Sequence, residues 1–214
     1  LNHGDETGAD IPKPLRSILK VNEQVARKTL FSHDHLVKTY PPSAIGDIKV
    51  NGLDGMDEDF DPDTWTLSVA GLGSHQLHTL DLDDLKSLPR REEIIDFKCV
   101  EGWSTVTQFV GARLSDFTAK FAPGSDKAGY VSMATPGDGY YVGLDMPSAL
   151  HPQTLLVWEM NGEPLTDEHG APLRLMTAVK YGIKSIKRIG SIGYRQNEPA
   201  DYWCERGYDF YAGL

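Results

Sequence analysis

No apolar run in this chain is longer than a strand, and turn residues break the pattern at short intervals. Residues 154–160 are among the longest such runs, far short of the ~18 apolar residues that a membrane-spanning helix needs. A chain built this way folds by stacking many short elements. Residues 64–71 alternate like a half-buried strand, with 77–80 as a short partner. Further strands are expected at 93–100, 130–134, 140–144 and 155–160. Asn161-Gly162 is a tight-turn dipeptide. Short helices are expected at 81–88, at 114–121 with Ser115 as N-cap, and at 147–150. Residues 15–30 have helical apolar spacing with Pro14 in the first turn. Strands and helices do not alternate as βα units, so the fold class is α+β. The expected division is an N-terminal arm or helix over 1–30 and one domain over 31–214.

The formal net charge is −10, which argues against general nucleic-acid binding. The charge is uneven. Between Asn51 and Asp63 lie six acids (Asp54, Asp57, Glu58, Asp59, Asp61, Asp63) and no base. Between His169 and Asn197 lie six bases (Arg174, Lys180, Lys184, Lys187, Arg188, Arg195) and no acid. A basic, acid-free segment in an acidic protein points to a bound anion, although a solvated basic face reads the same way. Within it, residues 182–192 read as a strand: Ile183, Ile186, Ile189 and Ile192 stand three apart, but β-branching and the flanking glycines favour a strand.

The two cysteines, Cys99 and Cys204, are too few for a disulfide framework and wrongly spaced for a zinc knuckle. Cys99 ends the 93–100 strand and enters a turn carrying Gly102 and Trp103. It reads as a buried hydrophobe, as a nucleophile with a distant histidine for base (His33, His35 or His169), or as a soft-metal ligand. Composition alone favours the first. Cys204 reads as a structural or free thiol, and Glu101 as a residue orienting the turn.

Five segments stand in a telling order: CVEGWS from Cys99, DGYYVGLDMPSAL from Asp138, WEMNGEPLTDEHGAPLRL from Trp158, KYGIKSIKRIGSI from Lys180, and DYWCERGYDFYAGL from Asp201. Together they resemble the sulfite oxidase superfamily of molybdopterin enzymes over residues 31–214. The resemblance implies a molybdopterin-binding catalytic domain of mixed sheets, without the C-terminal dimerisation domain of sulfite oxidases. It implies one molybdenum on molybdopterin, with Cys99 as the metal's thiolate ligand. Cofactor contacts carry over to His169, Arg174, Ser185, Ile186, Lys187 and Thr135. Phe31, His33 and His35 fall where the family's N-terminal arm touches the cofactor, and Lys180 and Lys184 are candidate contacts. Tyr140 aligns with the tyrosine near the metal, with Tyr141 as the neighbouring alternative.

Sulfite oxidases of animals and plants carry an arginine in a CAGNR-like run after the metal cysteine. Here the run is CVEGWS, with no arginine before Arg113, and His33 replaces the arm arginine. Forked arginines suit oxyanions, so their absence weakens a sulfite reading. In these respects the chain is more similar to the bacterial catalytic subunit that reduces methionine sulfoxide in proteins, although His169 replaces an asparagine there. The expected activity is oxygen-atom transfer to or from a small S- or N-oxide or a peptidyl sulfoxide, with reduction favoured. Sulfite dehydrogenation and non-catalytic carriage of the cofactor are the alternatives. An external electron partner such as a cytochrome, and a monomer, are expected. The first residue is Leu1, so export with a removed leader is favoured and a cytoplasmic location stays open.

Overall fold

The structure is a computed structural model that describes residues 13–29, 31–56, 60–74 and 76–214. Asp57, Glu58, Asp59 and Leu30 lie outside the described residues. Helix α1 (Lys13–Thr29) opens the described chain. Its Ile18, Val21 and Val25 stay exposed, so the helix adds none of them to a core. The strands then form two five-stranded sheets.

One sheet contains β1 (Leu67–Ala70), β2 (Leu77–Leu80), β5 (Tyr130–Ala134), β6 (Tyr141–Asp145) and β10 (Ser191–Arg195), in the order β2-β1-β10-β5-β6. β10 runs parallel to β1 and antiparallel to β5. The other contains β3 (Arg90–Lys98), β4 (Ser104–Arg113), β7 (Thr154–Met160), β8 (Glu163–Pro164) and β9 (Arg174–Thr177). Its order is β3-β4-β7-β8, with β9 also paired to β7.

This second sheet is buried on both faces. Side chains alternate along a strand. Leu156 and Trp158 of β7 therefore join a core with Leu67, Val69, Val131 and Ile192 of the first sheet. Leu155, Val157 and Met160 join another core with Ile95, Phe97 and Phe109. A strand that must be apolar on both sides loses its polar alternation, which is why TLLVWEM reads as a continuous run. Val37, Ile48 and Trp103 cover this second core. Close packing of β4 on β7 requires Gly111, because a Cβ there would lie 1.9 Å from the Leu156 carbonyl oxygen. The ladder shifts register at the same place.

The short helices pin the sheet ends. α2 (Leu82–Lys86) opens with a capping box between Asp81 and Asp84. α3 (Leu114–Phe121) has Arg113 as N-cap with no side-chain cap bond, so Ser115 lies inside the helix and does not cap it. α4 (Met146–Ala149) and α5 (Tyr202–Glu205) are single turns. The Asn161-Gly162 turn joins β7 to β8, with φ of 53° and 87°, as a tight hairpin demands.

One further sequence expectation changes. The isoleucine-rich segment 182–192 is not one strand. Gly182–Lys184 is a single 3-10 turn, irregular chain follows, and only Ser191–Arg195 pairs. Ile186, Ile189 and Ile192 enter the core at three-residue spacing because the backbone between them is not extended. β4 and β9 were not anticipated at all.

Candidate functional site

The end of β3, the loop after it, the start of β9, the approach to β6 and the turn at Gly182 converge on one cleft of about 290 Å³. Cys99, Tyr140, His169, Arg174, Ser185, Ile186 and Lys187 all line it. Both sheets therefore contribute.

Cys99 is 9% exposed and stands where β3 gives way to a five-residue loop closing on β4. Its backbone N–H donates to the Trp103 carbonyl at 2.9 Å, and its carbonyl accepts from Gly102 N–H at 3.1 Å. Gly102 has φ of +88°, which an L side chain would strain. The loop thus fixes the Sγ against the cleft. Asn51 Nδ2 donates toward it at 3.8 Å.

Arg174 opens β9 and is 3% exposed. Its Nη1 donates to the His169 carbonyl at 3.2 Å, and its Nε has no hydrogen-bond partner. Among the described residues no carboxylate pairs with it. The guanidinium lies 5.9 Å from the Phe97 ring centroid and 5.8 Å from that of Phe109. Burial lowers its pKa to about 10, so it is still charged at neutral pH. A buried, unpaired cation costs several kcal/mol, and an anion in the cleft offsets that cost. Lys187 adds a second charge. Its Nζ donates to the carbonyls of Asn51 (2.6 Å), Gly52 (3.2 Å) and Glu168 (2.6 Å). Burial first, then Arg174, lowers its pKa to about 8. The His169 imidazole is pushed down by burial, then by Arg174 and Lys187, so at neutral pH it is a neutral hydrogen-bonding ring.

Tyr140 is 8% exposed and its hydroxyl donates to the Ile183 carbonyl at 2.6 Å. Burial, then Asp201, raises its pKa, so it keeps its proton. Thr135 is buried behind it: Tyr140 N–H donates to Thr135 Oγ1 at 3.0 Å, and Thr135 N–H to the Tyr140 carbonyl. Thr135 is thus placed to hold Tyr140 and is not among the cleft-lining residues. Gly55 packs on this pair so closely that a Cβ would come 2.6 Å from Thr135 Oγ1. Tyr141 points elsewhere, its hydroxyl on the Glu205 carboxylate. Of the two neighbouring tyrosines, Tyr140 is the one that lines the cleft.

Five further sequence candidates are not brought to the cleft. Lys184 is buried and paired with Asp201 at 2.5 Å, and Lys180 is buried beside Asp145 at 3.4 Å. Neither aspartate belongs to the basic segment, so its lack of acids did not mean lack of partners. Phe31, His33 and His35 lie against Leu150 and His151, just after α4. The Phe31 and His33 rings pack on His151, His33 Nε2 bonds the Leu150 carbonyl, and the His35 carbonyl meets His151 Nε2. Conversely, Lys49, Asn51, Asp54, Trp203 and Tyr208 line the cleft without having been singled out for it. Asn51 and Asp54 belong to the acidic stretch from Asn51 to Asp63, and no sequence signal distinguished them.

Among the described residues no group of three or more His, Cys, Asp or Glu side chains could hold a metal ion. Cys99 can be one ligand, so a metal here needs further ligands from a non-protein group. One soft thiolate beside an orphaned buried guanidinium fits a sulfur-bearing metal cofactor with an anionic tail.

This is a site for an anionic, metal-carrying cofactor set between two mixed sheets. Residues 54–203 match the family described as oxidoreductase molybdopterin binding domain, and the chain belongs to that family. It is 34% identical over 187 residues to a putative protein-methionine-sulfoxide reductase subunit of Azospira oryzae, covering 86% of this chain and 70% of that one. It is 36% identical over 168 residues to the protein-methionine-sulfoxide reductase catalytic subunit of Xanthomonas axonopodis pv. citri, covering 70% and 52%. The corresponding subunit of Ralstonia nicotianae is 36% identical over 171 residues, covering 72% and 51%. The chain thus spans about half the length of these catalytic subunits. The sulfane dehydrogenase SoxCD of Paracoccus pantotrophus shares the fold, with a TM-score of 0.58 at 17% identity over 78% of this chain and 46% of that one. The cofactor of the family is molybdopterin with molybdenum, and the chain is an oxidoreductase domain of that kind.

One pH effect follows. In the cofactor-free chain Lys187 is charged below about pH 8 and neutral above it. Its attraction for an anion in the cleft is therefore present at about pH 7 and fades toward about pH 9. Cofactor uptake by the purified apo chain is expected to weaken over that interval, and Lys187→Met is expected to flatten the dependence.

Proposed function

We propose that this chain is the catalytic part of a molybdenum reductase of sulfoxides, with peptidyl methionine sulfoxide as the favoured substrate. The observation that carries this reading is the character of the cleft wall. Val100, Trp103, Tyr140, Trp203 and Tyr208 line it, and Val100 and Tyr208 are 38% and 41% exposed. Among the described residues Arg174 is the only arginine lining it, and it is buried. Lys49 is exposed and its ammonium lies 5.6 Å from the Trp103 ring centroid, but a lone lysine lacks the fork that grips an oxyanion. An apolar, aromatic wall suits a neutral sulfoxide and its thioether product better than sulfite. The relatives named as methionine sulfoxide reductases support the same reading.

In this reading Cys99 is the thiolate ligand, and Arg174 and Lys187 hold the anionic end of the cofactor, with His169, Ser185 and Ile186 beside it. When bound, the cofactor supplies a metal that can exchange an oxygen atom and two electrons. Net turnover breaks the S–O bond, takes up two electrons and two protons, and releases thioether and water. Tyr140, protonated and tethered to Ile183, positions the substrate. The electrons come from an external donor of the cytochrome class. Among the described residues no helix is long and apolar enough to cross a membrane.

The test is a substrate panel with the cofactor-loaded protein. Oxidation of a reduced viologen by methionine sulfoxide or an oxidised peptide is the expected result. Sulfite-dependent reduction of an acceptor dye, with no sulfoxide turnover, would replace this reading with sulfite dehydrogenation.

A further inference from the structure

Asn51 reaches the Cys99 sulfur, and every polar atom of its side chain is committed. Its Oδ1 accepts from Gly52 N–H at 2.8 Å. Its Nδ2 donates to Glu101 Oε2 at 2.9 Å and to Cys99 Sγ at 3.8 Å. An amide nitrogen has two hydrogens to give, and these are its two acceptors. The orientation is also forced. Flipping the amide would set its oxygen against the Glu101 carboxylate and its nitrogen against a backbone N–H.

Two further contacts immobilise this donor. Glu101 Oε2 also accepts from Trp103 Nε1 at 3.0 Å, which ties the carboxylate to the loop that carries Cys99. The Asn51 carbonyl accepts from Lys187 Nζ at 2.6 Å, which ties the same residue to the basic side of the cleft. A half-buried asparagine so fully spoken for has a fixed direction, and one of its N–H bonds is aimed at sulfur.

We propose that Asn51 is a positioning residue whose N–H···S bond to Cys99 raises the reduction potential of the metal held there, with Glu101 keeping the amide aimed. The proposal rests on reading Cys99 as the metal's thiolate. Hydrogen bonds to a ligating sulfur are among the groups that set the potential of a metal site. The donor draws electron density from the thiolate and so favours the more negative, reduced state. Outer contacts of this kind also fix ligand orientation. A higher potential eases reduction of the site by its donor.

The experiment compares the holoenzyme with Asn51→Leu and Asn51→Ala, by molybdenum content and by potentiometric titration of the paramagnetic metal signal. Leucine has nearly the shape of asparagine and no donor. Both variants are expected to keep wild-type molybdenum and to titrate at lower potential. The expected shift is about tenfold in the one-electron equilibrium, or about 59 mV. Glu101→Gln keeps an acceptor oxygen for Asn51 and is expected to shift the potential less. Unchanged potentials in both Asn51 variants at full molybdenum content would overturn the proposal. Loss of molybdenum from both would also overturn it, by making Asn51 a cofactor-retention residue. Failure of the underlying reading shows separately, as a metal signal that Cys99→Ser leaves unaltered.

Discussion

Cys99→Ser is expected to abolish turnover while leaving most of the pterin bound. A hydroxyl is a poor ligand for a metal already surrounded by sulfur. Loss of a group that merely supports a ligand costs roughly 10- to 100-fold, so loss of the ligand itself should exceed that. The pterin stays because Arg174 and Lys187 are untouched by the change and the cleft around them is built on β9 and the Gly182 turn. The fold is expected to survive as well, since serine is nearly isosteric and the Cys99 backbone bonds to Trp103 and Gly102 do not involve the sulfur. Activity assay and pterin fluorescence on the same preparation check both halves. Retained activity would remove Cys99 from the metal.

Arg174→Ala is expected to yield protein without cofactor. Charge-assisted hydrogen bonds contribute roughly 1.5–3 kcal/mol each, and a forked guanidinium can make two to one anion. Even one such bond corresponds to at least about a tenfold loss of affinity. The consequence for folding has the opposite sign. Among the described residues no carboxylate reaches buried Arg174, its Nε is unpartnered, and its charge rests on a carbonyl and two aromatic rings. Replacing such a group by an apolar side chain of similar volume is often neutral or stabilising. Arg174→Met is therefore expected to melt no lower than the wild-type apo chain while failing to take up molybdenum. Full molybdenum occupancy in either variant contradicts the assignment. A large drop in apo melting temperature for Arg174→Met would mean that the residue is structural.

The parts of the fold legible in the sequence were those where local chemistry and tertiary context agree. The β7 run, the Asn161-Gly162 hairpin, the short helix after Asp81 and the single turn at Pro147 carry their own signals. β4 escaped because its first half, STVTQ, is polar and pairs with β3 alone, whereas its second half, Phe109 to Arg113, also pairs with β7. The basic segment misled in a more instructive way. It suggested cofactor contacts at Lys180 and Lys184. Tertiary pairing neutralises these with Asp145 and Asp201, and Arg188 with Asp167 at 3.6 Å. Arg174 and Lys187 make no such carboxylate pair among the described residues, and those two face the cleft. Which cations of a cluster stay available for a ligand depends on acids far away in sequence, so composition cannot separate them. The order of segments from Cys99 to Asp201 did identify the family, because it reflects the whole arrangement.

The acidic stretch shows the converse limit. Nothing in the composition of Asn51 to Asp63 pointed to the cleft, yet Asn51 and Asp54 line it, and Tyr202 donates its hydroxyl to Asp54 at 3.2 Å. Loop residues join a site through the packing of Gly55 and the reach of Lys187, neither of which leaves a periodic trace.

The central claim is that Cys99 supplies the one protein ligand to a molybdenum held in this cleft. X-ray absorption at the molybdenum edge tests it most directly, comparing the loaded wild-type chain with Cys99→Ser. The account predicts near-stoichiometric molybdenum in both, with one sulfur neighbour fewer around the metal in the variant. An identical sulfur shell in the two proteins would contradict it.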